Sequence, residues 1–263
     1  MSEPTPLLDF FKRGDVARDV RLLAAQGGLA PRAHEQLAIL VLLLEDPDAE
    51  IRQIADDTLN AIPVESLQAF LARSDVSIGL REFFADRGVF PSEIPTIEAD
   101  DPLIDTSEDL VLPEEDGDLL AEGADRDSVM QLLGKMTFPQ RLKAALKGTK
   151  EIRSMLIRDP NKMIAHTVLS SPKLTDGEVE AFARMASVSE DVLRTIGANR
   201  KWMKNYKVVV ALTRNPKTPV ALSLNLMNRL SDRDMGMLSV DRNVPEPLRI
   251  AARKKVVAAT SKK

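Results

Sequence analysis

The chain has no cysteine, two histidines, one tryptophan and one tyrosine among 263 residues. Without cysteine there is no disulfide and no thiolate metal site, and nothing points to an oxidising compartment. His34 and His166 stand far apart in sequence with no second histidine nearby. Neither fits a metal cluster or a nucleophilic triad, and both read as ordinary structural or surface histidines. Aromatic residues make up only 4 % of a chain that is 44 % hydrophobic. Leu, Ala, Val and Met carry the apolar load, which suits close-packed helices better than a sheet built from β-branched and aromatic residues. Long hydrophobic runs are also missing. The longest, Leu37 to Leu44, is too short to span a bilayer, and Met1-Ser2-Glu3-Pro4-Thr5-Pro6 lacks the basic-then-apolar layout of a signal peptide. The expectation is a cytoplasmic protein.

Charge is unevenly spread. Residues 1–128 hold 10 Lys/Arg and 29 Asp/Glu, a net −19, whereas residues 129–263 hold 26 and 11, a net +15. Halves of opposite sign imply an anionic partner for the basic half or contact between the halves.

Three segments follow from composition. Residues 1–90 read as a run of short helices. Leu37–Leu44 is apolar on nearly all sides, as in a helix buried within a stack. After a Glu45-Asp46-Pro47-Asp48 turn, Ala49–Ala61 places Ile51, Ile54, Ala55 and Leu59 on one face and Arg52, Asp56 and Asp57 on the other. Val64–Ala72 and Val76–Phe84 continue the series. Residues 91–128 carry 14 acidic residues, one basic residue and prolines at 91, 95, 102 and 113. With little to bury, this stretch is expected to be a disordered acidic linker. Within it, Leu110-Val111-Leu112 is either incidental or a short docking peptide.

Residues 129–263 carry a 28-residue period. Arg158-Asp159-Pro160, Ala186-Ser187-Val188, Arg214-Asn215-Pro216 and Arg242-Asn243-Val244 align. So do the apolar columns Ile164, Val192, Val220, Leu248 and Val168, Ile196, Leu224, Ala252. Phe182, Val210 and Leu238 repeat at the same step. Such a period marks stacked helical hairpins, because one hairpin cannot bury its apolar face alone. Capping boxes are expected at Thr137 with Gln140, Thr175 with Glu178 and Ser187 with Glu190, with a weaker relative at Ser231 and Asp234. Helices are expected at Thr137–Leu146, Thr149–Ile157, Thr175–Met185, Asn205–Thr213 and Ser231–Val240.

Leu40 to Ile62, an apolar helix, an Asp-Pro-Asp turn and Glu50-Ile51-Arg52 opening a second helix, resembles a HEAT-type repeat. The stretches Leu156–Asn161, Ser171–Asp176, Asn199–Trp202, Asn215–Pro219 and Asn243–Pro245 resemble a C-terminal module of bacterial α-helical repeat proteins. That resemblance covers about half the chain. It implies an α-solenoid fold and carries no activity or functional residue with it. The fold class expected is therefore all-α: a HEAT-like α-solenoid of stacked hairpins in two helical segments, joined by the acidic linker.

Enzyme signatures are thin. Leu132–Thr137 superficially resembles a phosphate loop, but Val129 stands where a glycine is required and Met136 where Ser or Thr should follow Lys135. The acidic pairs Asp100-Asp101 and Glu114-Glu115-Asp116 sit in a tether that fixes no ligand geometry. No cofactor is expected. The cluster that stands out is Arg200-Lys201-Trp202-Met203-Lys204-Asn205-Tyr206-Lys207, which joins the only Trp and the only Tyr to four basic residues. Cations and rings together bind planar anions and nucleic acid; alternatively, the two rings wedge between helices while the charges stay in water. Arg214 and Lys217 follow, and Arg158 and Arg242 hold the place of Arg214 in neighbouring repeats.

The function expected is a non-catalytic scaffold binding a protein partner, anchored at residues such as Trp202 and Tyr206. The alternative is nucleic-acid binding by the basic array, with the acidic linker as an intramolecular competitor. An enzyme acting on nucleic acid would need a carboxylate from among Asp159, Glu178, Glu180 and Asp241.

Overall fold

The computed structural model describes residues 6–30, 32–94, 102–104 and 126–260. The acidic pairs and the Leu110–Leu112 triplet lie outside them, as does most of the expected linker. Every regular element among the described residues is helical, and the chain forms two compact units.

The first unit comprises residues 1–156 with 163–173. Its helices are α1 (Pro6–Arg13), α2 (Arg18–Ala25), α3 (Ala33–Leu43), α4 (Ala49–Ala61), α5 (Val64–Leu71), α6 (Ile78–Asp86), α7 (Arg126–Lys135), α8 (Phe138–Lys147), α9 (Lys150–Leu156) and α10 (Lys162–Leu169). Helix α3 packs against α1, α2 and α4, and buries Leu37, Ile39, Leu40 and Leu43. Each such side chain contributes about 2 kcal/mol of transfer free energy, enough for an all-round apolar helix to organise its neighbours.

The turn after α3 is held by side chains. Asp48 caps α4 by accepting from the Glu50 amide at 3.0 Å, and Asp46 accepts from the Asp48 amide at 2.9 Å. The Arg52 guanidinium reaches back to the carbonyl of Asp46 at 2.6 Å. From α2, Arg21 pairs with Asp46 at 3.2 Å, and Arg18 bridges Asp48 and Glu50. The Asp-Pro-Asp turn is thus a junction between α2, α3 and α4.

Two details of the acidic stretch differ from expectation. Helix α7 begins at Arg126, inside the span assigned to the linker, and Pro102–Ile104 is seated against the first unit (below). The boundary between units also falls within the stretch read as one array, since α7–α9 and residues 163–173 group with the N-terminal helices.

The second unit comprises residues 157–162 with 174–263, and holds α11 (Asp176–Arg184), α12 (Glu190–Ala198), α13 (Tyr206–Arg214), α14 (Val220–Met227), α15 (Asp232–Val240) and α16 (Glu246–Thr260). Helix α13 packs on α11, α12 and α14, and α16 packs on α14 and α15. The periodic positions account for much of the interior: Phe182, Val192, Ile196, Leu238, Leu248 and Ala252 are buried, whereas Val210, Val220 and Leu224 are partly covered. Of the expected capping boxes, Thr175 with Glu178 is complete, Gln140 returns to the Thr137 amide at 2.8 Å, and Ser231 accepts from Asp234 at 3.2 Å. The expected box at Ser187 is not formed. Ser189 caps α12 instead, its hydroxyl accepting from the Val192 amide. The helix starts two residues later because Val188 is buried and occupies the preceding turn.

Candidate interaction surface of the second unit

The aromatic and basic cluster occupies the junction between α12 and α13, where the chain makes a single 3-10 turn, Trp202–Lys204. Asn199 builds the turn: its side-chain oxygen accepts from the amides of Lys201 and Trp202 at 2.9 and 3.1 Å. Asn205 then caps α13 by accepting from the Lys207 amide at 3.0 Å. Asparagine suits both places because its short side chain competes with the backbone for the same hydrogens. From the next hairpin, Arg229 donates to the Met203 carbonyl at 2.6 Å, and Met203 itself is buried. The turn is therefore fixed from both sides.

Arg200, Lys201, Lys204 and Lys207 are exposed, and none forms an ion pair among the described residues. Trp202 is half-buried. Tyr206 remains 41 % exposed, but its hydroxyl is committed. It donates to Asp234 at 2.5 Å and accepts from the Ser231 amide at 2.9 Å, joining the start of α13 to the start of α15 across 28 residues. The Tyr206 hydrogen bond, followed by that of the Ser231 hydroxyl, holds the Asp234 carboxyl below its ordinary range. The Tyr206 ring face is thus open while its polar end ties two hairpins together.

The remaining basic positions behave differently from one another. Lys217 and Arg242 are exposed, and Arg158 is partly exposed. Arg214 is paired with Asp241 at 3.5 Å, so its charge is partly spent within the unit.

Of the four carboxylates considered for chemistry, three serve a helix end or a turn and Glu180 forms an ion pair along α11. Glu178 is buried in its capping box with Thr175, and Glu180 pairs with Arg184 one turn on. Asp159 and Asp241 accept from the amides of Asn161 and Asn243 at 2.8 and 3.0 Å. Among the described residues no three His, Asp or Glu side chains gather as a metal site would require. No described helix is long and apolar enough to cross a membrane.

In the sequence Asn215 belongs to a periodic triplet; in the structure its role is larger. It is 2 % exposed, and its side-chain amide donates to the carbonyls of Ala183 and Met185 at 2.8 and 3.0 Å. Those carbonyls lie at the end of α11, where a helix leaves acceptors without intrahelical partners. In the sequence Asn215 stands in the polar column Asp159, Ser187, Asn215, Asn243 of the period, and nothing there marks it as the buried member.

Comparison with protein-family models, with curated proteins and with solved structures finds no match to this chain.

Proposed function

We propose that the chain is a non-catalytic scaffold of the α-solenoid type, HEAT-like in its first hairpins, that binds a protein partner through the turn and helix start at Arg200–Lys207. The observation that carries this reading is an open aromatic surface on a rigid frame. Tyr206 is 41 % exposed and Trp202 half-buried, and the turn beneath them is held by Asn199, Asn205 and Arg229. Side chains already ordered in the free protein lose little entropy on association, and Trp and Tyr are the residues that most often dominate interface energies. Ties between positions about one period apart, Tyr206 to Asp234 and Arg214 to Asp241, support a stacked-hairpin frame.

A second reading rests on a specific feature. Arg200, Lys201, Lys204 and Lys207, which form no ion pair among the described residues, adjoin the same rings in sequence, which is the composition of a surface for single-stranded nucleic acid. One experiment separates the two. Tagged full-length protein is used to capture partners from lysate with and without nuclease, in parallel with Trp202→Ala and with Lys201→Glu/Lys204→Glu. A discrete protein retained after nuclease and lost with Trp202→Ala supports the scaffold. Retention that disappears with nuclease and with the charge reversals supports nucleic acid. Capture unchanged by all three changes would remove this surface from consideration.

A further inference from the structure

Helix α3 is apolar nearly all round, yet it carries a glutamine, Gln36, that is 2 % exposed. A buried side-chain amide left without partners is costly, so the identity of its partners matters. They are main-chain atoms far along the sequence. The Gln36 oxygen accepts from the amides of Leu103 and Ile104 at 2.8 and 3.1 Å. Its nitrogen donates to the Ile104 carbonyl at 2.8 Å and, more weakly, to the Gly27 carbonyl at 3.4 Å. A glutamine amide offers two donors and two acceptor positions, and all four are used.

Gly27 supplies the other half of the arrangement. It adopts φ +79°, a conformation other residues avoid, and a Cβ built on it would lie 2.9 Å from Ile104 Cδ1. The missing side chain is the space the Ile104 side chain fills. Pro102–Ile104 is a short bend, held in part by the Gln36 side-chain amide and by the space left at the Gly27 Cβ position.

This division of labour is that of a peptide-recognition site. Hydrogen bonds to main chain give affinity without regard to residue type, and one shaped contact selects the side chain. Nothing in it requires the bent segment to belong to the same molecule. We propose that Gly27 and Gln36 form a recognition site for a linear peptide, and that Pro102–Ile104 is its tethered occupant. The ligand in trans is a short segment of a partner protein. It presents two successive amides and a carbonyl in a bend, with a branched aliphatic side chain at the position of Ile104. In the sequence, Asp101 and Asp105 flank the occupant. The inference concerns the first unit and does not depend on the Arg200–Lys207 surface.

An occupant attached to its own site acts at about millimolar effective concentration, and the test removes that competition. In the full chain, Pro102→Gly, Leu103→Ser and Ile104→Gly remove the shaped contact and loosen the bend, so that the tethered segment yields the site to a competing peptide. A fluorescein-labelled peptide of residues 98–108 is then titrated by anisotropy. The vacated protein is expected to bind at least tenfold more tightly than the unaltered one. Adding Gln36→Leu abolishes this gain, and a peptide carrying Ile104→Asp does not bind. Equal binding by vacated and unaltered protein, or equal binding of the two peptides, overturns the proposal. If the vacated chain proves unstable, the unaltered protein answers the same question: millimolar peptide must shift the Gln36 side-chain NH2 resonances, and their invariance overturns the site. Concentration-dependent dimers that dissolve on vacating the segment would show exchange between copies and overturn the assignment to a partner protein.

Discussion

At the scale of single residues, the polar side chains that matter most are those that serve main-chain atoms or other hairpins. Tyr206 is the clearest case. Replacing it with Phe keeps the ring but removes the donor to Asp234 and the acceptor for the Ser231 amide. We expect a loss of about 1 kcal/mol at neutral pH by urea denaturation, because the site is partly solvated and water replaces some of what is lost. The pH dependence has a definite sign. The Asp234 carboxyl is depressed in the folded state, so its contribution is present above the ordinary value of 3.8 and is lost as pH falls through the lower folded value. The gap between Tyr206→Phe and the unaltered protein should therefore close in that acidic range. His34 works in the opposite charge sense. Burial pushes its imidazole below the ordinary 6.5, so the unfolded chain takes up a proton before the folded one does. Stability is complete above pH 6.5 and declines below it, and His34→Gln should flatten that decline in thermal melts taken between pH 5 and 8.

At the scale of elements, the ends of helices decide more than their middles. Helices α11, α12, α13 and α15 all stop at a residue with extended backbone, Met185, Asn199, Asn215 and Asp241. Three of these four are Asx residues whose side chains accept from the amide two residues on, a local substitute for the next helical turn. Asn215 adds the two bonds to the end of α11. Asn215→Ala should cost about 2 kcal/mol by chemical denaturation, since one buried and one part-buried carbonyl lose their donor. Ile196→Asp places a carboxylate at a fully buried position and should cost more than about 4 kcal/mol, whereas Lys217→Asp at an exposed position should stay within about 0.5 kcal/mol. Gly148, between α8 and α9, is demanding for a different reason. A Cβ there would stand 2.4 Å from the Ala144 carbonyl oxygen and 2.8 Å from Ile152 Cγ2. The first neighbour is backbone and cannot swing aside. Gly148→Ala should therefore destabilise by about 3 kcal/mol, in the range of overpacked sites, despite the better helix propensity of alanine.

At the scale of the whole molecule, the governing fact is the charge division between residues 1–128 and 129–263. If the acidic stretch competes with anionic ligands for the cations at Arg200–Lys207, changing the Asp and Glu residues of 105–125 to Asn and Gln should delay elution from heparin to higher salt. This leaves Leu103 and Ile104 in place on Gln36. The difference should be greatest at low ionic strength, where attraction is least screened. Elution at the same salt for both proteins would dismiss the competitor.

The sequence by itself determined the helical class, most helix starts and the 28-residue period, because these rest on local quantities. Apolar spacing, Asx and Ser/Thr caps and proline positions act within one or two turns of chain. Thus α8, α9, α11, α13 and α15 begin and end within a residue or so of where their spacing placed them. Ser187 shows where local reading fails: the capping pattern was present two residues too early, and burial of Val188 chose Ser189. The aromatic and basic cluster was legible as composition. That the Tyr206 hydroxyl bonds Asp234, and that Arg214 is paired with Asp241 while Lys201 has no such pair among the described residues, depended on which hairpins meet. Gln36 and Ile104 are 68 positions apart, and neither has a pattern around it that names the other. Their pairing was decided by tertiary structure alone, because a buried amide must find partners wherever the fold brings main chain within reach.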